Sequence, residues 1–72
     1  MLEHDRKAHN TGWNDTVHGI LTSDSSKVME YVLNLRQIVQ VATNKGMATF
    51  YHHGVQDATD DFLAGKQLSK VA

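Results

Sequence analysis

Five histidines are the residues of this 72-residue chain best suited to chemistry. An imidazole can ligate a metal or carry a proton near neutral pH. His4 and His9 stand five apart, which on a helix points them in different directions, and the neighbours His52 and His53 cannot easily face one ion. Only His53, Asp57 and Asp61 recur every four residues, so a helix would align them in one row. Two hard carboxylates and one imidazole, without groups behind them to orient the ligands, bind a metal weakly. A solvated polar face is the commoner use of such a row. The same residues could be offered as a general acid and base, but proton transfer needs a cleft that excludes water and shifts pKa values. The chain has no cysteine, no glycine-rich phosphate loop and no Ser-His-Asp arrangement beyond chance. It therefore predicts no catalytic residue, no metal and no cofactor.

The clearest positioning element follows Ser23-Asp24-Ser25-Ser26, a cluster of residues that cap helix N-termini. After it Val28, Val32, Leu35, Val39 and Ala42 recur at spacings of four and three, opposite a polar face of Glu30, Asn34, Arg36, Gln37 and Gln40. Asn44-Lys45-Gly46 ends the run, with Gly46 placed for the left-handed turn just past a helix. This predicts a helix over about 26–44, with Val32, Leu35 and Val39 in the core. A second helix over about 47–68 is favoured, lined by Met47, Phe50, Tyr51, Val55 and Phe62. Its Gly54 and Ala58 would let the first helix approach closely. If 47–53 is a strand instead, a shorter helix would begin at Asp57, with Asp60 and Asp61 in its first turn and Lys66 and Lys70 near its end, a charge order that suits the helix dipole. Residues 1–15 lack periodicity and read as a flexible arm. The fold expected is mainly α: one domain over 1–72, a helical hairpin with that arm. The alternative is a small α+β domain with short strands at 16–22 and 47–53, whose β-branched and aromatic residues also suit strands.

Apolar residues make up 40% of the chain and charged residues 21%, as in folded domains, and the formal charge is −1. That balance offers no attraction to nucleic acid or to an anionic membrane. No apolar run approaches the roughly 20 residues that span a bilayer, and cytoplasmic residence is the default expectation. If residues 16–22 form a strand, the order strand, helix, glycine, helix resembles the ribbon–helix–helix dimers, which would imply a DNA-binding regulator. The resemblance covers order only, over about 16–68. The candidate strand offers Thr16, His18 and Ile20 on one face, with no Arg, Lys, Gln or Asn to read bases.

A core this small rarely supplies more than about 3–5 kcal/mol of net stability, and without cysteines neither disulfides nor thiolate zinc can supplement it. The first helix is apolar over more than one side. Met29 and Leu33 flank the main stripe on one edge, Tyr31 and Ile38 on the other, and one partner helix cannot cover them all. Trp13 reads first as a cap folded back on the core and second as a binding anchor. The expected partner-binding residues are Trp13, Met29, Tyr31, Leu33 and Ile38. The expected function is a non-enzymatic interaction module (adaptor, assembly part or inhibitor) that binds itself or a larger protein. Its size is common among accessory proteins of bacteria and their phages.

Overall fold

The structure, a computed structural model, describes residues 2–72. Three helices follow in order, α1 (Glu3–Thr22), α2 (Val28–Asn44) and α3 (Phe50–Leu63). No strand occurs among the described residues. The protein is mainly α, as the periodicity predicts. The expected hairpin is present as α2 and α3, and a third helix joins it.

That third helix corrects the expectation of an arm over 1–15 and of a possible strand over 16–22. Both segments belong to α1, whose buried residues are Gly12, Thr16, Val17 and Ile20. Two of these four are a glycine and a threonine, so hydropathy carries little trace of the stripe. Small residues are buried here because α1 and α3 cross backbone against backbone. A methyl group added at Gly54 would fall on the His9 carbonyl oxygen and lie 2.7 Å from the Trp13 nitrogen. One added at Gly12 would fall on the Tyr51 carbonyl oxygen, 2.9 Å from its carbon. The close approach expected of Gly54 and Ala58 is therefore made, but by α1 instead of α2. With residues 16–22 helical, the two-stranded ribbon of the ribbon–helix–helix arrangement is not formed.

The Ser23–Ser26 cluster does not cap α2 with a side chain as expected. Lys27 holds the N-cap position and makes no side-chain cap bond, and the cluster's side-chain hydrogen bond closes α1 instead. The Ser23 hydroxyl donates to the Gly19 carbonyl at 2.6 Å and closes α1. The amides of Lys27 and Val28 both donate to the Asp24 carbonyl, so the chain is already winding before α2 begins, two residues later than expected. Gly46 takes φ +69°. The Met47 amide reaches the Ala42 carbonyl and the Gly46 amide that of Thr43, the paired bonds that end a helix on a left-handed residue. Gly65, at φ +77°, repeats the pattern with Asp61 and Phe62. It stops α3 at Leu63, so the second helix is shorter than the expected 47–68 and residues 64–68 are not helical. At its start, residues 47–49 lead into a capping box. The Thr49 hydroxyl accepts from the His52 amide, and His52 Nδ1 accepts from the Thr49 amide at 3.1 Å. The other candidate strand, 47–53, is not formed: residues 50–53 are the first turn of α3.

The core is a small cluster of Val17, Ile20, Val32, Val39, Val55 and Ala58. Leu35, expected among them, is only half-buried. Thr16 and Thr59 are buried with their hydroxyls satisfied by the carbonyls of Gly12 and Gln56. Arg36 ties α2 to α3 through the Thr59 hydroxyl at 3.0 Å and the Asp60 carboxylate at 2.5 Å. His9 ties α1 to α3 by donating from Nε2 to Asp57 at 2.7 Å. Beyond Gly65 the chain runs along α1. The Trp13 indole donates to the Ser69 carbonyl at 2.9 Å, and the Asn14 amide both donates to and accepts from the Val71 backbone at 2.7 Å.

Candidate protein-docking site

α2 turns Val32 and Val39 inward and leaves large apolar side chains on both edges of that buried stripe. Met29 and Leu33, one turn apart on one edge, are 48% and 53% exposed, Ile38 on the other edge is 58% exposed, and Val41, on the outer face, is 45% exposed. Asn34, Gln37, Ile38 and Val41 border a broad, open depression of about 540 Å³ along the helix. Tyr31 is half-buried, its ring packed over Gly19. Of the five expected partner-binding residues, Met29, Tyr31, Leu33 and Ile38 thus share α2. Trp13 sits apart on α1, half-buried and hydrogen-bonded to the C-terminal segment.

Tyr31 and Ile38 also form one wall of a cleft of about 110 Å³ where the three helices meet. Leu35, Val39 and Val55 supply further apolar walls, and Asp15, Tyr51 and His52 the polar ones. The Tyr51 hydroxyl donates to Asp15 Oδ2 at 2.8 Å. That hydrogen bond, then burial, then the charges of Asp15 and Tyr31, push the Tyr51 phenol up to about 12. Burial and then the Asp15 charge raise Tyr31 as well. Both phenols are therefore held protonated, the opposite of what an activated tyrosine base or nucleophile needs. The cleft can accept hydrogen bonds and contact apolar groups. Its one phenol–carboxylate pair, Tyr51 and Asp15, keeps the proton on the phenol.

The row His53, Asp57 and Asp61 is not assembled as a ligand set. His53 packs edge-on against Phe50, Asp57 accepts from His9, and Asp61 lies 3.7 Å from Lys66. Among the described residues no group of three His, Cys, Asp or Glu could hold an ion. Asp15 and Tyr51 escaped the sequence reading because no spacing links residues 36 positions apart on different helices. Val41 lay within the periodic helix but between its polar positions. No known protein family, curated protein or solved structure matches the chain.

Proposed function

We propose that the protein is a non-enzymatic interaction module that docks a protein partner, a second copy or a larger protein, on the apolar edges of α2. The observation that carries this reading is the exposure of Met29, Leu33, Ile38 and Val41 on the helix whose inner face supplies a third of a small core. The chain exposes 4995 Å², against about 4,450 Å² for a compact monomer of 8.0 kDa by the usual size scaling. Apolar burial is worth roughly 25 cal/mol per Å², so covering a few of those side chains offsets part of what the small core lacks. No helix among the described residues is long and apolar enough to cross a membrane, and the reading takes the cytoplasm as its setting.

Sedimentation and thermal melting across a concentration series test it. Self-association makes the melting temperature climb with protein concentration, because only the folded state associates. Replacing Leu33 and Ile38 together with glutamine should leave a folded, helical monomer, since both side chains are exposed. Loss of helix in that variant would put the two residues in the core and sink the reading. A wild-type monomer whose melting temperature ignores concentration would rule out a second copy and leave a different protein as the partner.

A further inference from the structure

The cleft beside Ile38 holds a carboxylate that no cation of the described fold neutralises. Among the described residues the carboxylate of Asp15 pairs with no Lys, Arg or His, and its only side-chain hydrogen bond comes from Tyr51 to Oδ2. Asp57, Asp60 and Asp61 each have a cationic or imidazole partner, and of the side-chain carboxylates without one (Glu3, Asp15, Asp24 and Glu30) only Asp15 lines the cleft. We propose that the cleft receives the guanidinium of an arginine carried by the docking protein. The proposal rests on the docking role of α2 for the source of that arginine, and it deepens that role by naming the chemistry that selects the partner.

Size, charge and shape each favour this occupant. A space of about 110 Å³ is somewhat smaller than the roughly 150 Å³ that holds a benzene ring. It suits a guanidinium with the methylenes next to it. The methylenes meet Leu35, Ile38, Val39 and Val55. The head meets the second oxygen of Asp15 and the phenol oxygens of Tyr31 and Tyr51, which accept while their protons are retained. A planar guanidinium can fork its donors among several oxygens and lie on a tyrosine face, whereas an ammonium is a compact, strongly hydrated point charge. Ile38 lies on both the cleft wall and the exposed edge of α2, so a protein seated on α2 is placed to reach in.

The test is a titration of the isolated protein with N-acetyl-arginine methylamide, followed by NMR shifts of Asp15, Tyr31, Tyr51 and His52. Saturable shifts at those residues are expected, with matching citrulline and lysine probes binding several-fold more weakly. Asp15→Asn keeps an acceptor for Tyr51 and should weaken the arginine probe about tenfold, the scale of a lost charged hydrogen bond. Equal binding of citrulline, lysine binding as tightly as arginine, or an unaltered affinity in Asp15→Asn would each overturn the assignment. So would free arginine binding far more tightly than the blocked residue, which would make the cleft a metabolite site. No saturable shift at all would overturn it too, and would leave the α2 edges to be judged by sedimentation alone.

Discussion

Tyr51 and Asp15 join α3 to α1 through one hydrogen bond at 2.8 Å, and that bond responds to alkali. The folded state holds the Tyr51 proton up to about pH 12, whereas an ordinary tyrosine gives it up near 10.0. The stabilisation is therefore complete below pH 10 and disappears as the pH rises through about 12. Tyr51→Phe should cost only about 0.5 kcal/mol at neutral pH, the low end for a hydrogen bond, because the pair is near the surface. It should also lose less stability than wild type between pH 10 and 12. Urea unfolding at several alkaline pH values reads both effects, and identical pH slopes would show that the contact is absent in solution. His52 offers a second test, since its ring occupies the place usually held by glutamate or glutamine in a capping box. Removing the acceptor in His52→Ala should cost about 0.5–1.5 kcal/mol, the range of a single hydrogen bond, while His52→Gln should retain most of it. If the two variants melt together, the ring is not capping α3.

At the scale of the helices, the α1–α3 crossing governs the structure more than the hairpin does. Gly54→Ala places a methyl group against the His9 carbonyl. Backbone cannot move aside as a side-chain tip can, so the helices must part. A loss of about 1–3 kcal/mol or more follows, enough to unfold much of a domain this small. Chemical denaturation measures it, and an unchanged midpoint would mean that the crossing is looser than described. The same crossing explains what could be read in advance. α2 and the Gly46 turn were legible because Val28, Val32, Val39 and Gly46 act through local rules, periodicity and positive φ. α1 was not, because its buried stripe is built on Gly12 and Thr16, and Gly12 is covered by the backbone of Tyr51, 39 residues further along the chain. α3 was overrun because Lys66 and Lys70 suit a helix end, while Gly65 four residues earlier than Ser69 already stops it. Of the candidate site, the edges of α2 were visible as excess apolar width. The cleft was not, since it exists only after α1 brings Asp15 beside Tyr51.

Across the whole molecule, the six-residue core and the exposed edges of α2 belong to one economy of surface. A chain that buries so little can fold firmly and still present Met29, Leu33 and Ile38, provided that something covers them in use. The C-terminal segment is the exception, because part of it is already held. Trp13 is the only tryptophan of the chain, and its indole N–H is bonded to the Ser69 carbonyl in that segment. The protein thus carries its own optical gauge. Intrinsic fluorescence reports whether the segment lies against α1, while far-ultraviolet dichroism reports the three helices, and the two signals separate two events. Asn14→Leu removes both bonds to Val71. It should move the emission to longer wavelength at temperatures where the helical signal is unchanged. In the wild type the emission should begin to shift at lower urea than the dichroism does. Coincident transitions would mean that segment and helices melt as a single unit. Separate ones would make the colour of Trp13 a direct record of how often the segment lets go.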